Sequence, residues 1–328
     1  MRYAEAGNGR RISRIGLGTW QFGSREWGYG PGYEQRTAAL VQRAVDCGVT
    51  LFDTAEVYGF GRSERLLGAG LAAALGDRRD EAYVATKIFP VLPVAAVVQQ
   101  RAVASAARLG VRRIDLYQVH QPNPVVRDGT TMAGMRRLQE VGLVGDVGVS
   151  NYSLERWRQA EEALGGPVLS NQVQYSLARR APEDDLLPYA ASAGRLVVAW
   201  SPLAQGLLSG RYTAQNPPSG SVRQMNPLFL PENLERAAPL QAALREVADA
   251  HSVTPSQAAL AYVVHHPYVV AIPGASSEEQ VEANAAAGDV VLADDEYEAL
   301  RSAAAAFRPV IGARAVPKLL SGRVRAAG

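Results

Sequence analysis

Four residues pose the chemical question: Asp53, Tyr58, Lys87 and His120. Asp53 closes the apolar run TLFD and stands five positions before Tyr58 in FDTAEVYGFGRSERLLG, residues 52–68. Lys87 closes AYVATK, and His120 closes DLYQVH. A tyrosine alone is a poor proton donor near neutrality, its reference pKa being about 10. A neighbouring ammonium favours the phenolate and lowers that value, and Lys87 is the candidate ammonium. A buried lysine without a carboxylate is costly or gives up its proton, so Asp53 is the expected ion-pair partner. His120 adds a hydrogen-bonding group for a carbonyl oxygen. The set amounts to a proton donor and an oxyanion site around one carbonyl. It lacks a nucleophile and a metal, and a nicotinamide hydride donor would complete it as a carbonyl reductase.

Each residue taken singly also has a plainer reading. Asp53 with Thr54 can cap a turn, Tyr58 can be a rim aromatic, Lys87 a solvated strand-end charge, and His120 a turn histidine before Gln121 and Pro122. Two facts weigh against four coincidences. Asp53, Lys87 and His120 close successive apolar runs, with Tyr58 just beyond the first, and lysine and histidine are scarce: of 34 basic residues only Lys87 and Lys318 are lysines, and the histidines are 120, 251, 265 and 266.

The elements that must position these groups alternate along the chain. Strand candidates are RIGLGTWQFG, TLFDTA, AYVATKI, DLYQVH, GDVGVSN, VLSNQVQYS, LVVAWSPL and VVAIPGA, brief and rich in Val, Ile and Leu as buried parallel strands are. Amphipathic stretches lie between them. Several end in Gly, suited to a left-handed C-cap, and several begin at Ser, Thr or Pro. Eight such units predict a (β/α)8 TIM barrel, a fold of about 250 residues in its usual form. Asp53, Lys87, His120, Asn151, Gln172, Ser201 and Pro273 fall at strand C-termini, which a barrel gathers at one mouth. A doubly wound sheet is the competing arrangement, and no GxGxxG follows the first strand to favour it. The expectation is one domain over 1–328, with a short N-terminal extension, a long loop after strand 7 (209–233, proline-rich), extra C-terminal helices and a tail at 306–328. A second irregular segment, GSREWGYGPGY at 23–33, follows the first strand.

The totals exclude several classes. A chain of 328 residues, 47% hydrophobic, can bury a large core. A formal charge of +2 without long Lys or Arg runs gives no nucleic-acid footprint. The single cysteine, Cys47, rules out an internal disulfide or a cysteine zinc cluster and reads as a small core residue. No apolar run reaches membrane-spanning length and no apolar signal region opens the chain, so the expected location is cytoplasmic and the expected partner a small molecule. Oligomeric state is not readable.

The stretches FDTAEVYG, ATK, YQVHQP, GVSN, NQVQYS, WSPLAQGLLSG and IPGASSEEQVEAN, in this order from about Ile15 to about Ala305, resemble the aldo-keto reductase superfamily. The resemblance implies a (β/α)8 barrel that binds NADP(H) without a Rossmann motif, with Tyr58 as general acid, Lys87 and Asp53 as its supporting pair and His120 orienting the carbonyl. By the same resemblance Thr19, Trp20, Ser150, Asn151 and Gln172 meet the nicotinamide end, and Tyr175 stacks on the ring. Ser201, Pro202, Leu203, Gly206, Leu208 and Ser209 pass along the pyrophosphate. Gly274, Ser276, Ser277, Gln280 and Asn284 take the adenosine end. The chain departs from the family pattern where an Arg or Lys often meets the 2′-phosphate: serines precede Glu278 and Glu279, and Ala283 replaces the usual acidic residue. Arg211 and Arg223 match basic residues that some members use for phosphate, which favours NADP(H) and leaves NAD(H) open. Trp20, Trp27, Tyr29 and Phe89 would bound the substrate. Two other readings stand beside the reductase: an NADPH-binding sensor or auxiliary subunit with slow turnover, against which the absence of a partner-binding segment before the barrel counts, and an oxidoreductase specific for a sugar in a biosynthetic pathway.

Overall fold

A computed structural model describes residues 1–5, 9–23, 33–219 and 221–315. Two short strands, β1 (Tyr3–Glu5) and β2 (Arg11–Ser13), pair antiparallel. Eight parallel strands follow: β3 (Leu17–Gly18), β4 (Leu51–Asp53), β5 (Tyr83–Ile88), β6 (Ile114–Val119), β7 (Val144–Ser150), β8 (Ser170–Gln174), β9 (Leu196–Trp200) and β10 (Val269–Ala271). Each pairs with the next in sequence order. Parallel bridges Ile15↔Ala271 and Gly18↔Gly274, with the Gly16 N–H on the Ala271 carbonyl at 2.7 Å, join the last strand to the first. The ring is therefore closed, and helices cover its outside as the barrel expectation requires.

Strand parity fixes what faces inward. In β5 and β6 every residue is buried, as expected where both faces of a parallel sheet are covered. Ala85 and Leu116 point into the barrel with Leu51, Leu196, Val198 and Val270, and Ile12 of the hairpin packs beneath them. Two residues further along each strand, the same inward face carries Asp53, Lys87 and Gln118. Tyr117 and Val119, of opposite parity, join the outer core between strands and helices. The inward face thus changes from apolar to polar toward the strand C-termini.

The punctuation read from the sequence recurs in the helices. Gly110, Gly165 and Gly194 end theirs in the left-handed region, and Thr254 with Gln257 forms a capping box ahead of Pro255. The first strand is shorter than RIGLGTWQFG suggested, because Trp20–Gly23 turns into a helical coil directly after Gly18. The 209–233 segment is organised rather than bare loop: it holds the short helix Ser221–Gln224 and the 3-10 turn Pro227–Phe229. Gln241 donates to the Leu207 and Tyr212 carbonyls, both at 2.9 Å, to pin its beginning. Asn233 exchanges hydrogen bonds with the Val310 backbone, tying the start of the C-terminal segment to the helix Pro231–Ala250. Cys47 packs against core side chains away from the mouth, and burial pushes its thiol pKa up. Among the described residues no helix is long and apolar enough to cross a membrane, and no cluster of acidic, His or Cys side chains suits a metal.

Candidate active site

The polar layer at the strand C-termini centres on a buried ion pair. Lys87 is 0% and Asp53 2% exposed. Lys87 Nζ lies 2.6 Å from Asp53 Oδ1 and donates to the Thr54 carbonyl at 2.7 Å. Asp53 Oδ2 accepts from Gln172 Nε2 at 2.8 Å and, more distantly, from Gln118 Nε2 at 3.5 Å. Burial pulls the Lys87 pKa down, but the Asp53 carboxylate and the adjoining Tyr58 hydroxyl outweigh it, leaving it above the ordinary lysine value. The ammonium therefore stays charged inside the barrel.

Tyr58 sits on the turn after β4, its N–H on the Ala55 carbonyl and its own carbonyl accepting from Ser63. Close backbone packing sets this turn: a Cβ on Gly59 would come within 2.4 Å of the Gly23 carbonyl oxygen, and Gly59 itself has φ 60°. Lys87 Nζ lies 5.1 Å from the centre of the Tyr58 ring. The sequence suggested that this ammonium would lower the phenol pKa. The net direction is upward, because burial exceeds the Lys87 effect and the Asp53 charge opposes it. Tyr58 is consequently a protonated phenol at every physiological pH.

His120 closes the set. Its N–H binds the Ile88 carbonyl at 2.9 Å and its carbonyl accepts from Asn151 Nδ2 at 3.3 Å. Its ring stands edge-on to Tyr58 (5.7 Å, 83°) and to Phe89 (5.9 Å, 84°). Burial, followed by the charge of Lys87, lowers its pKa to about 3. A neutral imidazole keeps one N–H to donate and one lone pair to accept.

The β7 and β8 ends bring together Ser150, Asn151 and Gln172. Ser150 Oγ donates to the Gln172 carbonyl at 2.8 Å, and Asn151, held at φ 61°, donates from Nδ2 to Ser150 Oγ at 3.1 Å. Asn151 Oδ1 accepts from the Trp200 indole N–H at 3.2 Å. Trp20, 42% exposed, begins the helical turn after β3. Thr19 is fully buried, donating to the Asp53 carbonyl at 2.9 Å, so it supports the pair from behind.

The loop after β9 has an unusual backbone. Ser201, Ala204, Gln205 and Gly206 all have positive φ, a costly state for the three that are not glycine. Arg223 donates from Nε to the Gln205 carbonyl at 2.9 Å and stacks over Tyr212, whereas Arg211 is exposed. Ser209 Oγ donates to the Gly206 carbonyl at 2.7 Å. Pro202 is buried and Leu203 half-buried. Ser277 caps the helix Glu278–Ala286, and Gln280 folds back so that its Oε1 accepts from the Ser276 N–H (2.9 Å) and hydroxyl (3.0 Å). Gly274 lies under the Gln21 side chain, and Asn284 is 8% exposed.

The structure places three of the expected cofactor side chains elsewhere, the first being Thr19, fully buried behind the ion pair. Tyr175 is fully buried on the helix side, its hydroxyl on Glu183 at 3.1 Å, so its ring does not line the mouth. It follows Gln174, and its parity is opposite to that of inward-facing Gln172. Leu208 is likewise fully buried in the outer core and offers only its backbone. Trp27 and Tyr29 lie outside the described residues. Conversely, Trp200 and Gln118 adjoin the site, on Asn151 and Asp53, and are absent from the set that the motifs single out. Counting by twos from inward-facing Val198 and Leu116 finds both.

The donor set suits a dinucleotide. Asn151 and Gln172 offer the amide donors and acceptors that a primary carboxamide requires. The positive-φ run at 204–206 folds the loop back on itself, the Ala204 N–H on the Ser201 carbonyl and the Gly206 N–H on the Leu203 carbonyl, both at 2.9 Å.

The model of the aldo/keto reductase family matches residues 14–305. An uncharacterized oxidoreductase of Mycobacterium tuberculosis (strain ATCC 25618 / H37Rv) is 54% identical over 99% of this chain and 99% of its own. Among solved structures, glycerol dehydrogenase from Gluconobacter oxydans superposes with a TM-score of 0.85 at 28% identity, over 94% of this chain and 97% of that one. An aldo/keto reductase from Klebsiella pneumoniae in complex with NADP and acetate superposes at 0.73 with 29% identity, over 96% and 99%.

Proposed function

Because the chain belongs to the aldo/keto reductase family, we propose that it is an NADP(H)-dependent reductase that turns an aldehyde or ketone into an alcohol. The observation that carries the reading is the buried Lys87–Asp53 pair directly behind a protonated Tyr58, with neutral His120 edge-on to it. A nicotinamide held at this mouth would supply the hydride that the carbonyl carbon receives. As the C=O π electrons move onto oxygen, the Tyr58 hydroxyl gives that oxygen its proton. The resulting phenolate is stabilised by the Lys87 ammonium, which Asp53 keeps in place. His120, unable to protonate near neutrality, orients the carbonyl oxygen by hydrogen bonding. The burial of Lys87 and Asp53 strengthens these interactions.

Ser150, Asn151 and Gln172 are the residues proposed to hold the carboxamide, with Trp200 rather than Tyr175 as the adjacent aromatic. The Ser201–Ser209 loop with Arg211 and Arg223 would take the phosphates, and Gly274, Ser276, Ser277, Gln280 and Asn284 the adenosine end. The NADP complex of the Klebsiella relative supports the choice of NADP(H) over NAD(H). We further assign the 1–328 chain to one domain, acting on a small molecule in the cytoplasm.

The test is NADPH consumption by the purified protein across aldehydes, ketones and keto-sugars, with Tyr58→Phe alongside. The variant should lose turnover while binding NADPH as the wild type does. Full activity in Tyr58→Phe would remove the proton-donor role. A preference for NADH in direct comparison would reverse the cofactor assignment.

A further inference from the structure

We propose that Arg101 and Glu56 are positioning residues for His120, acting through the ring of Phe89; this rests on the reductase reading above. The backbone of His120 is fixed on both sides, by the Ile88 carbonyl and by Asn151. Its ring is not fixed in the usual way. Nδ1 is buried and has no hydrogen-bond partner among the described residues, whereas a functional histidine ordinarily has its second nitrogen held by a carbonyl or carboxylate. What remains to orient the imidazole is packing: Tyr58 against one edge and Phe89 against another, each nearly perpendicular. Tyr58 is the reacting group, so Phe89 is the stationary wall.

Phe89 is held with unusual completeness for a residue one position beyond its strand. Its N–H donates to Glu56 Oε1, and its carbonyl accepts from Arg101 Nη1 at 2.8 Å. Arg101 Nε donates to Glu56 Oε2 at 2.9 Å, and the same guanidinium reaches the Val91 carbonyl at 3.4 Å. One planar fork and one carboxylate thus clamp both polar groups of Phe89, a geometry that lysine cannot copy. Glu56 stands two residues before Tyr58, so the clamp also joins the loop of the proton donor to the loop of the wall. Asn123 Nδ2 donates to the Pro90 carbonyl at 2.7 Å and ties in the loop after His120.

The experiment is a double-mutant cycle of Arg101→Ala with His120→Ala, read by kcat, KM, NADPH affinity from fluorescence, and the ring 15N shifts of His120. Arg101→Ala alone should lower kcat by between about tenfold and about a hundredfold, the scale of a catalytic group displaced by about an ångström. NADPH affinity should be unchanged and the His120 ring signals should shift. Added guanidinium should restore part of the loss. In the His120→Ala background Arg101→Ala should add nothing. Equal fractional losses in both backgrounds would overturn the proposal, as would His120 signals identical to wild type. Should Arg101→Ala fail to fold, Phe89→Leu enters the same cycle with the same expectations for kcat, for the His120 ring signals and for the His120→Ala background, and with no rescue by guanidinium. A wild type that binds NADPH and turns over nothing counts against the reductase reading alone, because the ring shifts still test the clamp.

Discussion

Gln172 Nε2 donates to Asp53 Oδ2 at 2.8 Å while Lys87 Nζ holds Oδ1 at 2.6 Å. The carboxylate is therefore shared by β4, β5 and β8, and a residue proposed to meet the nicotinamide also touches the pair behind Tyr58, the proposed proton donor. Asp53 thereby organises the site as well as neutralising Lys87.

The first prediction concerns this pair. Removing one member of a buried ion pair leaves the other charged and unmatched, at about 3–5 kcal/mol. Lys87→Met should cost about that much in urea unfolding and abolish turnover. Lys87→Met with Asp53→Leu should recover much of the stability, since an apolar pair carries no desolvation penalty, and none of the activity. A double variant less stable than Lys87→Met would show that the Gln172 and Gln118 bonds to Asp53 outweigh the charge.

The second prediction concerns pH. His120 titrates at about 3, below the ordinary value of 6.5. The unfolded chain therefore binds more protons than the folded one between those values, and stability falls as pH drops from about 6.5 toward about 3. His265 and His266, lowered chiefly by burial, act in the same direction. His120→Gln should flatten part of the acid limb in urea midpoints taken from pH 7 to pH 4. Wild-type turnover should show no His120 inflection between pH 5 and pH 8. Tyr58 is raised above 10, so loss of its proton should appear only in the far alkaline range.

The third prediction concerns Gly148 in GVSN. A Cβ there would lie 2.5 Å from Ser170 Oγ and 2.9 Å from Gln118 Cγ. Overpacking of this kind costs about 1–3 kcal/mol. Gly148→Ala should lose about that much in thermal or urea unfolding and should reduce kcat, because the displaced Gln118 adjoins Asp53. Adding Ser170→Ala removes the nearer clash and should return part of the stability. An unaffected Gly148→Ala would mean that the barrel interior relaxes more than its packing suggests.

The sequence made the barrel legible because its strand ends are chemically distinctive: Asp53, Lys87, His120 and Asn151 mark four of them, and glycines or capping residues mark the helices between. Parity was less legible. NQVQYS and LVVAWSPL each carry one aromatic near a strand end, and the choice between them requires knowing which residues face inward. Gln172 and Val198 settle that only when their partners are seen. The balance at Tyr58 was also beyond sequence reach. A neighbouring lysine can be inferred from spacing, but the degree of burial, which outweighs it, cannot. The organisation of 209–233 depends on Gln241 and Asn233, both donors on a helix that begins only after the first half of that segment.

The last prediction separates the two aromatics. Trp200 is half-buried at the mouth with its indole N–H on Asn151, and Tyr175 is sealed among helices with its hydroxyl on Glu183. If the ring of the cofactor lies against Trp200, Trp200→Phe should weaken NADPH binding by about three- to tenfold, the worth of one aromatic contact. It should also remove much of the tryptophan quenching that NADPH produces. Tyr175→Phe should leave NADPH affinity untouched. Glu183 would lose one of its donors but keep Tyr262 at 2.7 Å and Arg180 at 3.0 Å, so the cost should be about 1 kcal/mol of stability. The reverse pattern, with affinity lost in Tyr175→Phe and kept in Trp200→Phe, would require the strand β8 end to turn its face on binding. That motion would have to break the Gln172–Asp53 bond, and turnover would then depend on a rearrangement of the ion pair itself.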